Sequence, residues 1–386
     1  MTDVIIAGIG QTQVGEHWEI GLRDLALDAI QNALNDSGGL KPQALFVGNM
    51  LAPNLSHQAH LGALIADYAG LTGIEAITIE AAGASGGAAL RQGYLAVASG
   101  MVDVALVLGV EKFTDKIGAE VEEAISTAGD SDFESVQGLT AAAQAALLAK
   151  RYINEYDVPP SGFAGFALTA HQNAAHNKYA MFQKAIKAET YAKAEMVSDP
   201  LNMFDVAPNA DGAAALVLTR RELVPSDFKN PLVKIAGSAS STDTLALHDR
   251  KDMLYFDTAQ ISAGKAMKQA GVVLDQINFF EYHDVFSIYA ALQLEAVGFA
   301  IKGKGWRLAE NGEISRMGKI PCATMGGMKA RGFPGGASGV YQAVETATQL
   351  RGQAGANQIA GATVGLIQSL GGPASTAVSH ILQRLD

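Results

Sequence analysis

Short apolar runs that end in glycine alternate with amphipathic stretches along the first 112 residues. Val4 to Gly8 predicts a strand, and Leu22 to Leu34 carries apolar residues at helical spacing until Asp36-Ser37-Gly38-Gly39 stops it. Ala44 to Val47 predicts the next strand, closing on Gly48-Asn49, and a helix follows over about 59–69. Ala76 to Ile79 then predicts a buried strand that turns through small residues into a helix over Ala88 to Ser99, where Leu90, Tyr94 and Val97 share a face. Val104 to Leu108 predicts a further buried strand, ending at Gly109-Val110-Glu111-Lys112. Strands separated by helices imply right-handed crossovers and a mostly parallel sheet covered on both faces.

The turn Ile79-Glu80-Ala81-Ala82-Gly83-Ala84-Ser85-Gly86 is the stretch around which the rest is organised. A strand that bends sharply into a helix aims backbone N–H groups at whatever lies over the helix start. A nucleophile would stand there, and this chain has none. From Phe113 to about Leu201 the alternation gives way to a helix-rich, more polar insertion, expected to lie over the first lobe. Ala213 to Leu218 restores a strand after Asn209-Ala210-Asp211-Gly212. Val233 opens a second copy of the pattern, in which Gly83-Ala84-Ser85-Gly86 recurs as Gly336-Ala337-Ser338-Gly339 before a helix over Val340 to Leu350 and a strand over Thr363 to Ile367. The expected division is 1–112 for the first half, 113–208 for the insertion, 209–232 for a return strand and linker, and 233–386 for the second half. A site is expected between the two facing helix starts.

Composition narrows the function classes. With 48% hydrophobic and 17% charged residues, the 386-residue chain belongs with globular proteins and not with disordered ones. A net charge of -11 argues against a nucleic-acid partner. One cysteine excludes a disulfide framework and a cysteine-rich metal site, and the pairs His171/His176 and His57/His60 lack companions at zinc spacing, so no metal is expected. Met1-Thr2-Asp3-Val4 has no signal-peptide pattern and no apolar stretch is long enough to span a bilayer, so a cytoplasmic protein without a membrane partner is expected.

Several stretches together resemble the thiolase superfamily, in particular the archaeal acetoacetyl-CoA thiolase and sterol carrier protein X-type branch. They are Gly8-Ile9-Gly10-Gln11-Thr12, the turn through Gly83, Asn209-Ala210-Asp211-Gly212-Ala213-Ala214, Asp243 to Arg250, Glu281-Tyr282-His283-Asp284-Val285-Phe286, Gly326-Gly327 to Gly339, and Gly371-Gly372. The resemblance spans essentially the whole chain. It implies an α/β thiolase fold: a duplicated five-layered αβαβα core, a helix-rich loop domain, and a homodimer or dimer of dimers. It implies an acyl-CoA thioester as substrate or ligand, and a place in lipid metabolism within the acetyl-CoA acetyltransferase family. An OB-fold, zinc-ribbon protein and an HMG-CoA synthase-like enzyme are the protein partners it suggests.

The resemblance departs where the chemistry would be. Gly83 stands where thiolases carry the nucleophilic Cys, Val285 where this branch carries a second Cys, and Phe333 where the family carries an activating His. None of the three can transfer a proton or form a thioester. The resemblance places the N–H groups of Gly83 and Gly372 in an oxyanion hole, and His283 beside it as the remaining acid/base of ordinary pKa, or else as a structural histidine at a strand end. Asp284 either orients His283 or caps the following helix. Gly237 and Ser238 fall where the family's loop contacts pantetheine, or form an ordinary turn. Lys178, Lys184 and Lys187 are either phosphate contacts or a solvated face. Val285, Phe333 and Gly327 are expected around the pocket, and Cys322 is either a core residue or a relocated nucleophile. Three functions follow: a CoA-thioester enzyme working through an enolate, a retro-aldolase among them; a non-catalytic subunit; and ordinary acetyl transfer, against which Gly83 argues.

Overall fold

Strands and helices alternate along the first half as its spacing predicts, with shifted ends. In this computed structural model, which describes residues 3–385, β1 spans Val4–Gln11, α1 Leu22–Asp36, β2 Ala44–Gly48, α2 Leu61–Tyr68, β3 Glu75–Ile79, α3 Ser85–Ala98 and β4 Val104–Glu111. Met1 and Thr2, on which part of the reading of the chain's start rests, and Asp386 lie outside the described residues. The chain continues through α4 (Gly118–Ser126), α5 (Ala141–Tyr156), α6 (Ala164–Ala174) and a small hairpin of β5 (Met196–Ser198) and β6 (Leu201–Asn202) before β7 (Gly212–Arg220). The second half runs through β8 (Leu232–Thr242), α7 (Asp257–Ala270), β9 (Phe279–Glu281), α8 (Ser287–Val297), α9 (Ser338–Leu350), β10 (Val364–Gly371) and β11 (Thr376–Leu385).

The strands follow the order β3-β2-β4-β7-β1-β8-β11-β10-β9, and the two halves join through one residue pair, Ile5 with Lys234. The expectation of a mostly parallel sheet is corrected. β2 pairs parallel with β3 and β4, and β9 with β10, but β4–β7, β7–β1, β1–β8, β8–β11 and β11–β10 are antiparallel. β7 enters the middle of the first half only after the long insertion, and β11 folds straight back on β10 through a tight turn; neither needs a crossover helix. The burial expected of Ala76 to Ile79 is corrected too. β3 is an edge strand with Ile77 43% exposed, because its only neighbour is β2.

Helices α3 and α9 form the central layer. They touch each other and pack against strands of both halves, while α1 covers the outer face of the first half and α7 that of the second. The repeated small residues are where these two helices cross. A Cβ on Gly86 would lie 2.7 Å from the Gly336 carbonyl oxygen, and one on Gly339 would lie 2.3 Å from Gly87 N. Contact with main chain leaves no flexible atom to yield, so the duplication requires glycine at the crossing.

The insertion does not lie over the first lobe alone. α4 packs on the turn 52–55, but Ala145, Leu148, Ala149 and Tyr152 of α5 and Phe166 of α6 share a core with Phe280, Ile288 and Leu292 of the second half. All eleven residues of α8 are buried, so this helix needs apolar cover on every side. α5 supplies part of that cover, which fixes the insertion as the lid of the cavity described next.

Candidate active site

The cavity opens where the end of β3, the end of β10 and the segment after β9 converge beneath α4 and α5. It encloses about 880 Å³ counted out to its open mouth, and its wall includes Gly83, His283, Val285, Phe333 and Gly372. The structure therefore brings together five of the eight residues expected at the site.

Gly83 sits in a single 3-10 turn, Ala82–Ala84, between β3 and α3. Ser85 holds this turn: its hydroxyl accepts from Ala81 N at 2.9 Å and donates to Ala82 O at 2.6 Å. Ala82 takes a left-handed conformation (φ 50°) that costs a non-glycine residue energy, so the bend is enforced by its surroundings. Gly83 thus presents main chain at the N-terminus of a 14-residue helix, where partial positive charge gathers. Gly372 lines the same cavity from the β10–β11 turn, with φ +54°, and the end of β10 packs against the turn at Gly83, a Cβ on Gly371 lying 2.6 Å from Ala81 O.

The volume a side chain at 83 would use is already taken. A Cβ there would lie 2.7 Å from Leu370 O, 3.0 Å from Cε1 and 3.2 Å from Nε2 of His283. His283 is held from behind: its N–H donates to Gln293 Oε1 (2.9 Å), and its carbonyl accepts from Gln293 Nε2 (2.8 Å). Its ring meets Phe333 edge-on at 5.8 Å, and Phe333 leans in turn on Phe113 at 6.2 Å. Burial, reinforced by the nearby Arg331 charge, pushes the His283 pKa down to about 3. The acid/base of ordinary pKa expected here is instead a neutral imidazole throughout the physiological range.

Other expectations resolve away from the cavity. Asp284 Oδ1 accepts from Met328 N at 2.7 Å, so it anchors the turn 327–331 and not the imidazole. Gly327 lies behind the wall, where an added Cβ would meet Asp284 Oδ2 at 2.5 Å. Gly237 and Ser238 are buried in β8 and do not line the cavity. Gly237 presses on the carbonyl of Ala266 in α7, and Ser238 accepts from Arg91 and donates to Gln269 Oε1. Lys178, Lys184 and Lys187 are exposed and lie outside the cavity wall. Cys322 is fully buried with its thiol against Ile320 O, and burial pushes its pKa well up, so it is an inert core thiol.

The insertion contributes lining that the sequence did not single out: Glu122, Ile125 and Ser126 of α4, Leu139, and Ala141, Ala142 and Gln144 at the start of α5. The i, i+3, i+4 spacing of the first three was legible, but nothing in it said which way that face would point.

Behind His283 lies a closed charged layer. Arg331 Nε is 2.9 Å from Glu345 Oε1 with both side chains buried, the guanidinium sits 4.9 Å from the Tyr341 ring, and Lys329 donates to Asp205 O at 2.7 Å. A stability test isolates the imidazole in this setting. The folded pKa of His283 lies below the ordinary 6.5, so the stability its neutral form confers is complete above pH 6.5 and is lost as pH falls towards 3. Glu111 and Glu281, pushed up to about 7 by burial, titrate in the opposite sense, so the comparison must be between variants. Between pH 6.5 and 4.5, wild type should lose about 2 kcal/mol relative to His283→Gln in urea melts. Parallel pH dependences of the two proteins would contradict a neutral His283.

The comparisons with known proteins bear on this geometry. Residues 4–222 match the family described as "Thiolase, N-terminal domain", and residues 239–384 match "Thiolase C-terminal domain-like". The chain belongs to the thiolase family. This thiolase-family chain is 40% identical over 386 residues to an acetyl-CoA acetyltransferase of Methanothermobacter thermautotrophicus, covering 100% of both chains. It is 31% identical to the benzoylsuccinyl-CoA thiolase subunit BbsB of Thauera aromatica, over 92% of this chain and 91% of that one. Among solved structures it resembles the Ltp2-ChsH2(DUF35) aldolase with a TM-score of 0.84 at 24% identity, covering 99% of this chain and 98% of that one. That likeness concerns the fold.

Proposed function

We propose that this thiolase-family protein holds an acyl-CoA thioester in the cavity and makes or breaks a carbon–carbon bond through an enolate, with no thioester link to its own chain. The observation that carries this reading is the neutral imidazole of His283 standing in the space a nucleophile at 83 would need. A neutral imidazole polarises a carbonyl by hydrogen bonding without ionising. The main-chain N–H groups of Gly83 and Gly372 add donors at the same wall, and a single such donor is worth roughly 10²–10³ in rate. The acyl group meets the apolar lining of Ile125, Leu139, Ala141 and Ala142. The catalytic unit in this reading is a homodimer meeting along the exposed edge of β3.

Calorimetric titration with CoA, acetyl-CoA and acetoacetyl-CoA, beside a turnover assay on β-hydroxyacyl-CoA thioesters, tests the reading. Thioester binding without thiolysis is expected. His283→Ala should lower cleavage by about 10²–10³ while thioester affinity stays within a few-fold. Failure to bind any thioester would overturn the enzyme reading and favour the second one. In that second reading the chain is a subunit that holds an OB-fold, zinc-ribbon partner and an HMG-CoA synthase-like enzyme. Its support is that one relative is named as a subunit and the similar aldolase is named as a complex with a DUF35 protein.

A further inference from the structure

Enolate chemistry needs a group that moves a proton, and the wall of the cavity offers four ionisable side chains: Glu122, Glu134, His283 and Tyr289. Three are unsuited to the task. Glu134 is committed to structure, its Oε1 accepting from Gln144 Nε2 (2.9 Å) and Leu247 N (2.9 Å) and its Oε2 from Asp130 N (3.0 Å). His283 is too weak a base. The phenol of Tyr289 is buried and pushed well up in pKa, beyond reach of neutral pH.

Glu122 differs from all three. It projects from α4 on the face shared with Ile125 and Ser126, and it lines both the cavity and an outer pocket formed with Trp18, Phe113, Lys116 and Asn209. Among the described residues no hydrogen-bond donor or cation engages its carboxylate, and half-burial alone raises its pKa. Lys116, the cation nearest in that outer pocket, is taken by Glu120 at 3.3 Å. The other charged or titratable groups that line these two spaces are Glu16 in the outer pocket and Glu134, His283 and Tyr289 in the cavity. An unpaired carboxylate that lines both the cavity and an outer pocket can collect a proton on one side and give it up on the other.

We infer that Glu122 is the proton-transfer residue of this cavity, moving the proton that the carbon–carbon cleavage proposed above requires. The inference rests on the enolate reading above. The Glu122 carboxylate takes the proton of the β-hydroxyl, and the O–H electron pair becomes the second bond of a new carbonyl. The Cα–Cβ bond breaks, and its pair passes into the thioester enolate, whose oxygen faces the Gly83 and Gly372 N–H groups and His283. The Glu122 carboxylic acid then returns the proton to Cα, giving a free aldehyde or ketone and a shortened acyl-CoA. One proton moves from oxygen to carbon, and no oxidant, reductant or second substrate is needed.

The half-reaction can be read without knowing the natural substrate. Incubation of the full-length protein with acetyl-CoA in D₂O, followed by NMR, reports exchange of the Cα protons. Wild type should exchange them, and Glu122→Gln should exchange them roughly 10²–10⁴-fold more slowly with the acetyl-CoA dissociation constant unchanged. Glu122→Asp should recover part of the rate, the acidic limb of the rate–pH profile should vanish in Glu122→Gln, and the exposed neighbour Glu123→Gln should behave as wild type. Exchange at the wild-type rate in Glu122→Gln overturns the role of Glu122 while leaving the enolate reading standing. A wild-type protein that binds acetyl-CoA and exchanges nothing overturns both.

Discussion

Gly83→Cys alone is expected to leave the protein without thiolysis and less stable than the parent. The new Cβ would stand 2.7 Å from Leu370 O, a main-chain atom near the end of β10, and 3.0 Å from the His283 ring. The strand cannot retreat cheaply, so the ring and the turn must move, and overpacking of this kind costs about 1–3 kcal/mol. The thiol would also lack a base. His283, the neighbouring imidazole, accepts a second proton only below about pH 3, more than five pH units under the ~8.5 of a free thiol. Phe333 and Val285 offer no proton acceptor at all. Acetoacetyl-CoA cleavage with CoA should stay at background, and alkylation of the new thiol at pH 7 should be slow. Thiolytic turnover by this single variant would refute the account of the site given above.

Arg331→Met is expected to cost more than any other single change in the layer behind the cavity. Arg331 and Glu345 are buried to 0% and 1% exposure, and they face each other at 2.9 Å. Removing the guanidinium takes away the cation that holds down the pKa of Glu345, already pushed up to about 8 by burial, and breaking a buried pair in this way typically costs about 3–5 kcal/mol. It also removes the cation above the Tyr341 ring, whose hydroxyl ties α9 to Thr12 near the start of the chain. The urea midpoint should fall accordingly, whereas Arg331→Met combined with Glu345→Leu should recover much of the loss, since an apolar pair of similar volume avoids the desolvation of both charges. A double variant no more stable than Arg331→Met would show that the stability resides in the contacts of Arg331 with Tyr341 and not in the ion pair. The same substitution removes a charge that disfavours imidazolium, so the pKa of His283 should rise in Arg331→Met.

The candidate site was legible in part. Gly83, His283, Val285 and Gly372 were each marked by motifs that adjoin turns after β3, β9 and β10, and such turns gather at one end of a sheet where strands run parallel, as β2 does with β3 and β9 with β10. Phe333 was marked by its motif alone, since it follows the helical turn 327–331. Gly237 and Ser238 follow a strand-like run as well, but β8 continues past them to Thr242, so they are mid-strand residues packed on α7. Glu122 carried no signal, because Glu120, Val121, Glu122 and Glu123 on a short polar helix resemble any solvated face.

By itself the sequence determined the duplication and the absence of a thiol at position 83, because glycine spacing and residue identity survive any packing. It also determined that strands and helices alternate within each half. Only the tertiary structure decided that most strand pairings are antiparallel, that β3 is an exposed edge, and that the insertion closes over the second half. Only the structure decided that His283 fills the space beside Gly83 in neutral form. Periodicity reports which face of an element is apolar. It does not report what covers that face, and burial, proton affinity and the shape of a cavity all follow from the cover.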